Sequence, residues 1–239
     1  MIVLAFDSVA KVASCAVCKD ETPLAIYSID NGLTQSELLL PMAEDILKSL
    51  KLTFDDVDAF AVSTGPGSFT GVRIGVSLVK GLAFGKGKAV IGVSALQALA
   101  ENLSGISALV VPCMDARRGQ VYTAVFRSDK DGLTRLTEDM AISLRELAEI
   151  LKGYSEEDIY LCGDGYNVAR EALVESGIKL CRTPSLLINE NAYSVAVSAI
   201  KKYNEGGAVS DIEIAPTYLR VPQAERERLE KENNEKGTK

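Results

Sequence analysis

The chain has 239 residues, 47% of them apolar and 25% charged, with a net charge of −7. That apolar share builds a sizeable core, while an acidic balance (pI about 4.9) disfavours gripping a phosphate backbone. Histidine is absent, which removes the commonest metal ligand and the commonest general base, and with them zinc-hydrolase, Ser-His-Asp and Cys-His chemistry. No apolar run approaches the roughly 20 residues that cross a bilayer. The opening Met1-Ile2-Val3-Leu4-Ala5-Phe6-Asp7 has no basic stretch before its apolar one, so no signal peptide and no membrane partner are expected, and the cytoplasm is the expected location.

Read in chain order, strands are predicted over 2–6, 12–18 and 23–29. Thr34-x-x-Glu37 is a capping box opening a helix over 34–50, with Pro41 marking either a kink or its true first turn. A strand over 57–63 leads into Gly65-Pro66-Gly67-Ser68-Phe69-Thr70-Gly71-Val72-Arg73-Ile74-Gly75, a tight turn that opens a helix over 72–84. No Gly-Lys-Ser/Thr follows the glycines, so this is not a P-loop. Two uses fit: unpaired N–H groups that receive an anion, or glycines that let another backbone come close, and the spacing alone weighs toward the second. A strand over 89–93 and a helix over 95–103, capped by Ser94, follow.

The pattern then restarts. Strands are predicted over 110–115, 120–126 and 133–137, then helix 144–151, strand 159–162, helix 168–176, strand 178–181 and helix 192–203. Val3-Leu4-Ala5-Phe6-Asp7 and Val111-Pro112-Cys113-Met114-Asp115 are 108 positions apart, and Ala16-Val17 and Ala124-Val125 share that offset. The order β-β-β-α-β-α-β-α thus occurs nearly twice, the layout of the α/β actin/hexokinase/Hsp70 class. The reading gives an N-terminal half over 1–104, a C-terminal half over 105–222 and a charged tail over 223–239, either a solvated helix or disordered. In that class each hairpin that meets phosphate reads Asp-x-Gly-Thr/Ser. Here they read Asp7-Ser8-Val9-Ala10 and Asp115-Ala116-Arg117-Arg118-Gly119, without the glycine that allows close approach. Five cysteines argue against a disulfide framework. Cys15 and Cys18, three steps apart on a strand, face opposite sides, and Cys113, Cys162 and Cys181 read as small core residues.

Several stretches together resemble the TsaB (YeaZ) family of bacterial tRNA threonylcarbamoyladenosine biosynthesis. They are Asp7-Ser8, Ser36-Glu37-x-Leu39-Leu40-Pro41, the stretch from Gly65 to Gly75, Lys80-Gly81-Leu82-Ala83, Asp115-Ala116-Arg117-Arg118-Gly119-Gln120-Val121-Tyr122 and Pro216-x-Tyr218-Leu219-Arg220. Gln35 stands where the family often has histidine. The resemblance implies an actin-like fold and kinship with the catalytic subunit TsaD, which carries a metal-binding histidine pair. The corresponding Val93-Ser94-Ala95-Leu96-Gln97-Ala98-Leu99 has no ligand. It therefore implies a non-catalytic subunit, not a peptidase, with no catalytic residue and no metal of its own. That subunit would activate TsaD for threonylcarbamoylation of adenosine 37 in tRNAs reading codons that begin with A.

The implied partners are TsaD in a heterodimer, the ATPase TsaE in the full assembly, tRNA only through that assembly, and a second copy when the chain is alone. ATP or ADP with Mg²⁺ is implied only at a joint surface. Positions expected near a phosphate are Asp7, Ser8, Gly65, Gly67, Ser68, Thr70, Gly71 and Asp115. The helices over 34–50 and 72–84 are apolar on more than one side, and Ser77, Gly81 and Gly85 recur four apart. The partner face is accordingly placed on Leu39, Met42, Ala43 and Ile46 of the first helix, and on Arg73, Val76, Ser77, Lys80, Gly81 and Phe84 of the second. The alternative is a small-molecule kinase using Asp7 or Asp115 as a base or to hold Mg²⁺, which needs no histidine. A third reading, an RNA module using Arg73, Arg117 and Arg118, weighs less than ordinary ion pairs at those arginines.

Overall fold

The computed structural model describes residues 1–220, and the predicted tail over 223–239 lies outside them. The first lobe is a five-stranded sheet in the order β3-β2-β1-β4-β5. Its strands are β1 (Ile2–Asp7), β2 (Ala13–Lys19), β3 (Thr22–Ile29), β4 (Ala59–Ser63) and β5 (Ala89–Val93). β1 pairs antiparallel with β2 and parallel with β4, so it is buried on both faces, as its unbroken apolar run requires. Cys15 and Cys18 do fall on opposite faces, in separate core clusters.

Helices α1 (Gln35–Ser49) and α2 (Phe69–Ala83) cover one face. Glu37 accepts the Thr34 backbone N–H at 3.0 Å and starts α1 at Gln35. Pro41 is an exposed interior residue of α1 and does not mark its first turn. The opposite face takes α6 (Ala192–Asn204), which returns from late in the chain. Small residues on both sides, Ala5, Ala59 and Ala61 against Ala192, Ala196 and Ala199, let helix and sheet come close. Beside it lies α3 (Ala95–Glu101), whose Ser94 cap accepts from Gln97 N–H.

The second lobe is built on β6 (Ala108–Asp115). It repeats the surroundings of β1, with antiparallel partners on one side and the parallel β11 (Ile159–Cys162) on the other. Two predicted strands are each broken. Residues 120–126 form β7 (Gln120–Thr123) and β8 (Phe126–Asp129), and 133–137 becomes β9 (Gly132–Arg135) followed by an unforeseen β10 (Met140–Ser143). At the first break the Thr137 hydroxyl, 12 residues on, accepts the Val125 N–H at 2.9 Å, taking it out of the ladder. The strand predicted over 178–181 shrinks to one bridge at Cys181: before it Ile178 N–H closes the end of the helix over 166–175 on Leu173 O, and after it the Thr183 hydroxyl donates to Leu161 O at 2.6 Å in place of backbone. Cys181 is consequently half-buried, whereas the other four cysteines are fully buried and all five are free thiols. Helices α4 (Leu144–Lys152) and α5 (Tyr166–Glu175) cover this sheet.

The glycines of the Gly65–Gly75 stretch receive backbone from their own chain. A Cβ on Gly67 would stand 2.5 Å from Val9 O, one on Gly75 2.5 Å from Ser8 Oγ, and one on Gly71 would fall inside the Ser8 carbonyl. Ser8 Oγ donates to Gly71 O at 2.8 Å and Ser68 N–H donates to Val9 O at 2.6 Å. The start of α2 is therefore seated directly on the β1–β2 turn. By contrast, a Cβ on Gly81 meets nothing within 4 Å among the described residues.

Two carboxyls are enclosed by this packing. Asp7 is 1% exposed. Its oxygens accept from Ser63 Oγ at 2.6 Å and Val9 N–H at 3.1 Å, yet burial outweighs both bonds and raises its pKa to about 6. Glu190 is 3% exposed, has one oxygen without a partner, and is pushed up to about 8 by burial and by the Asp7 and Asp164 charges.

Two predictions follow from the packing. Gly71→Ala destabilises the chain by about 2–4 kcal/mol, because backbone meets backbone there, while Gly81→Ala stabilises it by about 0.5–1 kcal/mol, both read by chemical denaturation. The two raised carboxyls keep protons when folded that the unfolded chain releases near pH 4, so stability falls as pH rises from about 4 toward 8. Thermal unfolding across that range shows the decline, and Glu190→Gln raises the midpoint most at its upper end. A midpoint that rises from pH 5 to 8 contradicts this.

Candidate functional site

Between the lobes lies a cleft of about 510 Å³. Its walls are the β1–β2 turn, the start of α2, the β6–β7 turn and the segment 217–220. Lys11, Arg117 and Arg220 supply cations; Asp115 and Asp164 supply acids; Tyr122 supplies a ring. Asp164 sits between Gly163 and Gly165, whose bare backbones pack on Cys113 O. Its carboxylate accepts the Asp115 N–H at 3.0 Å, and its pKa is raised, first by burial and then by the Asp115 charge, against the pull of Lys11 and Arg117.

Of the positions expected near a phosphate, Gly67, Ser68 and Asp115 line the cleft. The other five do not. Asp7 and Ser8 are sealed beneath it, Gly65 packs on Thr217 O, Gly71 packs on Ser8 O, and Thr70 is exposed on α2. The cleft residues that sequence reasoning missed are Lys11, Tyr122 and Asp164. A signal existed for the last, since Gly163-Asp164-Gly165 brackets an acid with glycines after a strand, as a close-packed turn requires.

The fold class implies a nucleotide with a divalent ion, and these residues do not fit one. The backbone donors of the two turns are already used: Val9 N–H by Asp7, Ser68 N–H by Val9 O, and Arg117 N–H by Asp115 Oδ1 at 2.7 Å. Asp7 cannot reach an ion through Ser63 and the seated turn. Among the described residues no group of three or more Cys, Asp or Glu side chains is placed to hold a metal.

The expected partner face needs correction. Leu39, Met42, Ala43 and Ile46 of α1 and Val76 of α2 are at most 5% exposed, because they are the side chains that bind these helices to their own sheet. The outward face of α2 carries Arg73, Ser77 and Gly81, with half-buried Lys80 beside them and Phe84 at its end, 77% exposed. Ile212, 82% exposed, adjoins this end, its carbonyl accepting from Lys80 Nζ at 3.0 Å. Among the described residues Arg73 makes no carboxylate pair: its guanidinium lies 3.9 Å over the Phe69 ring and its Nε donates to Tyr218 OH at 2.9 Å. Arg117, largely exposed, does pair loosely with Asp115 at 3.9 Å. No helix among the described residues is long and apolar enough to cross a membrane.

Comparison with known proteins agrees with this architecture. The model of the family TsaD, tRNA N6-adenosine threonylcarbamoyltransferase, matches residues 34–228. The tRNA threonylcarbamoyladenosine biosynthesis protein TsaB of Escherichia coli (strain K12) is 32% identical, covering 92% of this chain and 95% of that protein. Its namesake from Bacillus subtilis (strain 168) is 28% identical over 96% and 99%. YeaZ from Pseudomonas aeruginosa superposes with a TM-score of 0.75 at 24% identity, over 91% of this chain and 99% of that one. The activator of the 2-hydroxyisocaproyl-CoA dehydratase from Clostridium difficile, solved with ADPNP, reaches 0.50 at 12% identity over 92% and 100%. With an actin-like duplicated α/β fold and relatives matched along nearly their whole length, the chain belongs to the TsaB family, within the wider family that TsaD defines.

Proposed function

We propose that this chain is the non-catalytic partner subunit that binds and activates TsaD for threonylcarbamoylation of adenosine 37 in tRNA. The observation that carries this is the outward face of α2. Ser77, Gly81 and Gly85 stand four apart, and among the described residues a Cβ on Gly81 or Gly85 would meet nothing within 4 Å. A glycine inside an exposed helix costs about 1 kcal/mol relative to alanine, and packing among the described residues gives no return for it at Gly81. The gap it leaves suits the close approach of a second helix, with Phe84 and the half-exposed Leu40 of α1 as apolar anchors. A like face on TsaD fills the gap in the heterodimer, and a second copy fills it when the chain is alone.

The lack of histidine and the sealing of Asp7 support the accessory role. No observation favours the small-molecule kinase: of the two acids it would use, Asp7 is sealed under the β1–β2 turn, and Asp115, which lines the cleft, already accepts from Arg117 N–H. TsaE joins the pair in the full assembly, tRNA is met through that assembly, and ATP or ADP with Mg²⁺ enters at a joint surface.

Ser77→Arg and Gly81→Leu abolish both pairings while leaving the thermal midpoint within a few degrees of the parent, because both positions are open to solvent. Light scattering after size exclusion reads this, and variants that still pair displace the face from α2. In reconstitution, TsaD and TsaE modify tRNA at least tenfold faster with this chain than without it, and equal rates remove the proposed role.

A further inference from the structure

The segment after Ile212 touches both lobes. Thr217 N–H donates to Thr64 O at 2.7 Å. The Tyr218 ring stacks on Phe69 with centroids 4.5 Å apart, and its hydroxyl accepts from Arg73 Nε. Two residues on, Arg220 Nη1 donates to Ala116 O at 2.9 Å, and its guanidinium lies 5.7 Å from the Tyr122 ring centre. Phe69 and Arg73 belong to α2, whereas Ala116 and Tyr122 belong to the β6–β7 hairpin. Four consecutive residues therefore bridge the mouth of the cleft.

We propose that Thr217–Arg220 is a strap that couples the outward face of α2 to the β6–β7 hairpin, with Arg73 as the coupling residue. Arg73 stands four residues before Ser77 on that outward face, and its guanidinium also holds Tyr218. A carboxylate on a docking partner offers it a stronger bond than a phenol and a ring face do, so docking redirects Arg73 and slackens one end of the strap. The other end bears on a turn that carries backbone strain: Arg117 and Arg118 both hold left-handed conformations, at φ 66° and 56°. Arg220 clasps the carbonyl just before them. The ties at Arg73 and Tyr218 are exposed to solvent, so this end of the strap is the more easily opened one. Occupation of α2 thus reaches the second lobe along covalent chain. The identity of the partner rests on the function proposed above, whereas the strap is a property of the chain alone.

Amide hydrogen exchange on the full-length chain tests this. The Ala116 and Gln120 N–H groups, bonded to Gln120 O and Arg117 O, report on the hairpin, and the β11 amides serve as reference. Arg73→Ala speeds exchange at Ala116 and Gln120 about tenfold, within the usual range of such couplings, with β11 unchanged. Arg220→Ala does the same, and the double variant adds nothing further. Ser77→Arg, on the same face but off the strap, leaves the hairpin unchanged. The proposal fails if Arg73→Ala leaves the hairpin untouched, if β11 accelerates equally, or if the two effects add. With TsaD present, hairpin exchange shifts in the parent and not in Arg220→Ala. Pairing without any shift overturns the coupling, while failure of the parent to pair overturns the proposed function and leaves the mutant comparison to decide the strap.

Discussion

The architecture depends on one close approach, the seating of the β1–β2 turn on the glycines that open α2. Backbone carbonyls of Ser8 and Val9 occupy the space that side chains at Gly67 and Gly71 would fill, and the Ser8 hydroxyl occupies that at Gly75. Interior packing density leaves no slack for even one methyl at such a point. The contact fixes where α2 starts, how it rotates, and therefore which residues it turns outward.

The same seat determines the character of the cleft. In an actin-like fold the turn after the first strand is where an anion would meet the chain. Here Val9 N–H, Ser68 N–H and the Asp7 carboxylate are spent on one another and on Ser63. Asp7 is a buried group, 1% exposed and bonded to Ser63. The cleft is lined by the cations Lys11, Arg117 and Arg220, while the backbone donors of its turns are spent within the chain.

Helix α2 uses small residues on two sides for opposite ends. Gly71 and Gly75 face inward, where the chain itself fills the space, while Ser77, Gly81 and Gly85 face outward or lie just past the helix end. Arg73 lies on the outward side yet holds Tyr218, so the face offered to a partner and the strap across the cleft share a side chain. Partner recognition and inter-lobe geometry are thereby physically adjacent, although the two sheets are separate.

Much of this was legible in the sequence. Periodicity and caps placed the six α-helices of the described residues: Thr34 with Glu37, Ser94 and the glycine turn announce boundaries locally. The offset between Val3–Asp7 and Val111–Asp115 revealed two strands with equivalent neighbours, and the absence of histidine limited the chemistry at once. Local sequence could not show which apolar side of α1 and α2 is covered. Leu39 and Ile46 read as well for a partner as for the core until the sheet beneath them is in place. Nor could it show that Thr137 breaks a ladder, that α6 returns to the first sheet, or that Arg73 meets Tyr218, 145 residues away. Propensity and capping act over a few neighbouring residues and are written in order along the chain. Burial and long-range hydrogen bonds depend on which distant surfaces meet, and only the folded chain decides that.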